Sequence, residues 1–209
     1  MKKASNIYNM NKATHLKDKL SEKTYLRPYV VVFSASLFFF FESIQLNMFN
    51  SLNLELMEAF NIGSTELGKL SATYFYGTIL FLFPAGIMLD RISTKKIIIV
   101  TMLLCIGCTL LFSLSSSIWQ ANLYRFITGI GGSFTLLSSV RLASRWFPPD
   151  KMALIVGLIV TFAMLGGLVA QIPLTLLVLH FGWRATLVLD STWFIVFSNN
   201  FFLCERPSR

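Results

Sequence analysis

The chain has 209 residues, 55% of them hydrophobic and only 13% charged, with 20 phenylalanines. A water-soluble domain of this length cannot hide so much apolar surface, and a disordered chain needs the opposite composition, so both classes are excluded and the chain reads as a membrane protein. The net charge of +8 would suggest nucleic acid in a soluble protein, but these basic residues cluster before Pro28 and in short gaps between apolar runs. That is the pattern of membrane anchoring and not of a basic groove.

Residues 1–28 read as a polar, basic cytoplasmic tail whose cations can also meet anionic headgroups. An apolar stretch of about 20 residues crosses the hydrocarbon core as a helix. Six such stretches follow: Tyr29–Met48, Leu70–Leu89, Ile97–Leu114, Ala121–Val140, Met152–Leu179 and Ala185–Cys204. Their hydrophobicity is continuous, not alternating, which favours helices over barrel strands. The expected fold is therefore an all-α membrane protein with six transmembrane helices in residues 29–204. The first run is not a cleaved signal: Glu42 interrupts it, no small-residue cleavage site follows, and five further runs come after. Leu52–Phe60, mildly amphipathic, reads as an extension of the first helix. The fifth run would span about 42 Å against a core of about 30 Å, so it must tilt or project, and Pro173 is a candidate kink.

Short-loop charges set the orientation. The tail, the loop with Arg91, Lys95 and Lys96, the loop with Arg141, Arg145 and Lys151, and the C-terminal Arg206 and Arg209 share one side. The opposite loops offer only Lys69 and Arg184, so both termini are expected in the cytoplasm, most simply at a bacterial inner membrane.

The run from Gly86 through Asp90, Arg91, Ser93 and Thr94 to Lys95 and Lys96 is the most specific signal. By position it is a helix ending at the cytoplasmic face. Gly86 would let another helix approach closely, and Asp90 would accept from a neighbouring helix N-terminus while the cations face headgroups. The plainer alternative is a positive-inside loop with one incidental Asp.

Here the sequence resembles the major facilitator superfamily of secondary transporters, whose signature between helices two and three is G-x-x-x-D-R/K-x-G-x-R/K-R/K. Gly86, Asp90, Arg91, Lys95 and Lys96 match it, with Ser93 in place of the second Gly. Arg125 and Gly129 match the family's R-x-x-x-G in helix four, and Trp183-Arg184 and Glu205-Arg206-Pro207 resemble its flanks of helix six. The texture of the first two spans is similar to the lysosomal-dipeptide-transporter branch. The resemblance implies the N-terminal half of a facilitator fold, with residues 205–209 opening its central loop. The family's drug–proton antiporters carry G-P-x-x-G-G in span five; Phe162 and Ala163 stand at its Gly-Pro positions, so Gly166 and Gly167 read instead as close helix packing.

Ionisable residues in the hydrocarbon cost about 2.5–3.5 kcal/mol and mark a function or a partner. At 1.5 Å per residue, Glu42, Arg125 and Asp190 all fall in the outer half of the membrane. We expect Glu42 and Arg125 to meet in the bundle interior and to compete for a proton or a charged solute, the resemblance implying a cavity lined partly by helices one and four. Gln45 lies one turn beyond Glu42 as a hydrogen-bonding candidate. A static ion pair is the plainer alternative. Tyr74 and Thr78 share one face of span two and either line the cavity or anchor the interface. Asp190 reads as an outer-end contact to a neighbouring helix or to headgroups.

Cys105 and Cys108 form a CxxC inside an apolar run with no second pair, which reads as two small buried helix residues. No metal or cofactor is expected, nor an enzyme: no nucleophile–base set, metal cluster or phosphate loop is visible. The expected function is transport of a small polar or anionic solute by alternating access, as symport or antiport, with a proton as candidate coupling ion. Facilitators are built from two six-helix halves. A complete cavity would therefore need a second half or a homodimer; the alternative is a non-transporting remnant or a membrane interaction protein.

Overall fold

The computed structural model describes residues 32–33, 36–49 and 51–204, with side chains up to residue 195. The expected basic tail, the first residues of the first apolar run and the 205–209 stretch lie outside the described residues. Helix α1 covers residues 36–49 and is helical again over 51–60, where the extension of the first helix is expected. It is followed by α2 (Ser64–Arg91), α3 (Thr94–Ser113), α4 (Ile118–Ser144), α5 (Pro149–Gln171) and α6 (Pro173–Cys204).

The boundaries follow local chemistry. Helix α2 stops where Ile92 turns extended at φ −113° and ψ 150°. Ser117 caps α4, its side chain accepting from the Trp119 backbone N–H. Helix α5 opens with Pro149 at its first position, where the missing N–H is no loss. Pro84 falls inside α2 without ending it.

The fifth run is handled in an unexpected way. A single residue, Ile172, separates α5 from α6, and the ladder continues across Pro173: Ile172 N–H donates to Leu168 at 3.1 Å and Leu176 N–H to Ile172 at 3.2 Å. The chain reverses instead at Gly182, with φ 78° and ψ 162°, a region open essentially to glycine alone. Gly182 therefore divides α6 into a short arm that prolongs α5 and a long arm that returns across the bundle. The kink expected at Pro173 is only a one-residue interruption; the break sits where Cβ sterics allow it.

Among the described residues four helices, α2 to α5, are long and apolar enough to cross a membrane. Helix α4 packs chiefly between α2 and α3, and α6 lies against α3. Glycines set the closest approaches. A Cβ at Gly77 would strike the Phe126 carbonyl, and one at Gly129 would strike the Tyr74 backbone, so α2 and α4 interlock through a reciprocal pair. On the other side, Gly166 lies against the Phe40 carbonyl of α1 and Gly167 beside Asn47 Nδ2. The expected close packing at these two glycines is present.

Apolar clusters fill both sides of α1. Met48, Leu52 and Leu56 join Leu70, Phe112 and Leu187 towards the Gly182 end. Phe38, Phe41 and Ile44 meet Ile98, Met102 and Phe194 at mid-bundle. The outward face of α2 carries Tyr76, Ile79, Leu80 and Phe83, each at least 65% exposed. Leaving such side chains in water forgoes about 1.5–3 kcal/mol apiece, which suits a hydrocarbon or protein environment.

Candidate functional site

Polar side chains converge between α1, α2 and α4. Glu42 and Phe49 are two turns apart on one face of α1, Tyr74 projects from α2, and Arg125 and Gly132 are two turns apart on α4. Glu42 is 3% exposed, Arg125 2% and Tyr74 4%. Tyr74 Oη donates to Glu42 Oε1 at 2.6 Å. Arg125 Nη1 donates to the Gln45 main-chain carbonyl at 3.0 Å. Its guanidinium lies 3.9 Å from the Phe49 ring centroid and 4.9 Å from that of Tyr74, geometry in which ring quadrupoles hold a cation.

Glu42 and Arg125 belong to one cluster, as the sequence suggests, but not as a direct ion pair. Arg141 and Asp90, by contrast, do form an ion pair, at 3.0 Å. Tyr74 stands between the two buried charges, its hydroxyl on the carboxylate and its ring against the guanidinium. Glu42 Oε2 and Arg125 Nε are buried without a hydrogen-bond partner. Buried polar atoms are nearly always paired, so each is a vacant bonding position in a site otherwise closed. A Cβ at Gly132 would crowd the Tyr74 hydroxyl and come within 2.9 Å of Glu42 Oε1, so this glycine makes room for the pair.

Gln45 is fully buried on the flank of α1. Its Nε2 donates to Asp190 Oδ2 of α6 at 2.8 Å, and its Oε1 accepts from Thr109 of α3 at 3.2 Å. Asp190 thus contacts a neighbouring helix. Thr78 bonds the Gly129 carbonyl at 2.9 Å and its own Tyr74 carbonyl at 3.1 Å, which makes it part of the α2–α4 seam and not of an interfacial belt. Cys105 and Cys108 are buried free thiols, with Cys105 packed beside Gly131.

At the opposite end, Arg141 Nη1 donates to Asp90 Oδ1 at 3.0 Å and ties the end of α2 to that of α4, with the Asp90 side chain 83% exposed. Arg91 and Lys96 are exposed and Lys95 is half-buried. A Cβ at Gly86 would meet nothing within 4 Å, so none of the described helices approaches closely there. Gly86 is nine residues past Gly77, which at 3.6 residues per turn is half a turn off, so it faces away from α4. Close approach between α2 and α4 belongs to Gly77 and Gly129.

Reading the sequence missed Phe49, Thr109, Gly77 and Gly132. Uncharged residues in an apolar run carry no signal of their own. The spacing of Gly132 from Arg125, two turns on one face, was the clue available.

An all-helical bundle with apolar outward faces and a buried Glu–Tyr–Arg cluster defines a membrane-embedded protein with a polar intramembrane site. Residues 32–209 match the Major Facilitator Superfamily, and the chain belongs to it. It is 25% identical over 158 residues to the "Probable sulfoacetate transporter SauU" of Cupriavidus necator, covering 74% of this chain and 36% of that protein. It is 25% identical over 151 residues to the gentisate transporter of Corynebacterium glutamicum, covering 70% and 34%. The lysosomal dipeptide transporter MFSD1 of Danio rerio is 25% identical over 123 residues, covering 57% and 27%. The chain thus spans about a third of the length of the curated relatives it matches. Among solved structures, a bacterial homologue of the human lysosomal transporter Spinster, inward-facing and unoccupied, superimposes with a TM-score of 0.76 at 17% identity, covering 86% of this chain and 43% of that one. That likeness establishes the shared fold.

Proposed function

We propose that the chain is the N-terminal, six-span half of a carrier that moves a small organic anion by alternating access, with proton symport. One observation carries this reading: a buried guanidinium and a buried carboxylate share Tyr74, and each keeps one unpartnered atom. An anion reaching Arg125 takes the vacant Nε position and displaces the Gln45 carbonyl from Nη1. Once the guanidinium charge is neutralised, Glu42 loses its electrostatic support, so a proton travels with the anion. Sulfoacetate and gentisate, named for two relatives, are both organic anions, which supports this solute class.

The working unit includes a second six-helix half, within a longer polypeptide, in a partner chain or as a second copy. The open space beside Gly86 and the exposed Asp90 suit a helix of that half, the Arg141–Asp90 pair holding the end of α2 in place for it. We place residues 29–204 in the membrane and both termini in the cytoplasm of a bacterial cell, on the asymmetry of basic residues.

The test is uptake of radiolabelled gentisate and sulfoacetate into proteoliposomes holding the assembled carrier. Uptake rises as external pH falls, Arg125→Ala abolishes it, and Glu42→Gln removes its pH dependence. PH-dependent uptake surviving in Glu42→Gln sinks the coupling, and anion uptake surviving in Arg125→Ala sinks the anion site.

A further inference from the structure

A second polar site lies on the other flank of α1. A groove of about 390 Å³ runs between α1 and the two arms of α6, walled by apolar and aromatic side chains that include Phe40, Ile44, Leu177, Trp193 and Phe194. One charged residue lines it, Asp190. Gln45 Nε2 satisfies Oδ2 of that carboxylate at 2.8 Å, and the other oxygen has no partner among the described residues. No described Lys, Arg or His lines the groove. Arg184 donates to the Ser115 carbonyl and Arg125 to the Gln45 carbonyl.

We propose that this groove binds an amphiphilic monocation, an ammonium head with an apolar body, entering from the bilayer. The volume falls within the range of ligand sites, and an apolar lining with few polar groups is their usual composition. The carboxylate selects the charge. An uncharged lipid tail would leave its free oxygen against hydrocarbon, which is costly, whereas an ammonium pairs with it. Trp193, 71% exposed, and Phe194 add ring faces suited to a cation. The site is separate from the Arg125 cluster, although Gln45 touches both.

The experiment uses the chain in phosphatidylcholine nanodiscs and two diazirine-bearing probes of equal length, a decylammonium and an uncharged decanol. Photolabelled peptides are mapped by mass spectrometry. The ammonium should label the Leu177 and Trp193 segments at least ten-fold more than the alcohol does. Asp190→Asn, which keeps an acceptor for Gln45, should lose that excess, and Asp190→Glu should keep it. Equal labelling by both probes, or labelling unchanged in Asp190→Asn, overturns the proposal. Should Asp190→Asn fail to assemble, Leu177→Trp fills the groove while leaving the carboxylate: loss of the excess supports the site and persistence overturns it. Because the readout is binding, a failed uptake assay leaves this result independent.

Discussion

Tyr74 decides the character of the Glu42–Arg125 cluster. Its hydroxyl donates to Glu42 and its ring backs Arg125. Tyr74→Phe keeps the ring and removes the donor at 2.6 Å from Glu42 Oε1. Losing a buried hydrogen-bond partner costs about 1–3 kcal/mol or more. The expected outcome is a lower Tm in detergent for Tyr74→Phe and a smaller loss when Glu42→Gln is present as well, because the pair is coupled. Equal and additive losses would show that the 2.6 Å bond contributes nothing. Glu42 and Arg125 were legible in the sequence because a charge inside an apolar run is conspicuous. Phe49 and Thr109 were not, since each matters only through what faces it from another helix.

Among the helices, the α2 glycine that the sequence motif marks, Gly86, meets open space, whereas the unmarked Gly77 lies against α4. Gly129→Ala, at the α4 partner of Gly77, puts a methyl into the Tyr74 backbone, which has no flexible end to yield. Overpacking of this kind costs about 1–3 kcal/mol. Gly86→Ala meets open space in this half and should leave the Tm of the isolated chain unchanged or slightly raised, alanine being the better helix former. Thermal unfolding of both variants is the check. Gly182→Ala tests a different cause. Nothing lies within 4 Å of its Cβ position, so any loss arises from its φ of 78°. Backbone strain of that type costs about 1–3 kcal/mol, and the turn between the arms of α6 should fray first, seen as faster amide exchange around Trp183. The sequence pointed to Pro173 as the disturbance in the fifth run. Proline is a conspicuous helix breaker, but after the one-residue interruption at Ile172 it begins a new helix, where it needs no N–H donor.

For the molecule as a whole, the Arg141–Asp90 pair joins two helix ends across an exposed surface. A pair this open contributes about 0–1 kcal/mol. Asp90→Asn should therefore leave the fold and Tm of the isolated half intact. On the proposed architecture it should still cut uptake by the assembled carrier several-fold, with partial recovery in the charge-swapped Asp90→Arg, Arg141→Asp double variant. Loss of Tm instead of uptake would make the pair a fold determinant.

Membrane residence, helical class and family were determined by the sequence alone, because long apolar runs, their basic punctuation and the Gly86–Lys96 motif are properties of the chain read in one dimension. The hydrocarbon core imposes helices on such runs whatever their partners. What touches what was decided only by the tertiary structure. Tyr74 between two charges, Gln45 bridging Thr109 and Asp190, and Gly77 against Gly129 all depend on the rotation of each helix about its axis. In a membrane that rotation follows from close packing of small residues and satisfaction of buried polar groups, since hydrophobicity is the same all round the helix and carries no phase.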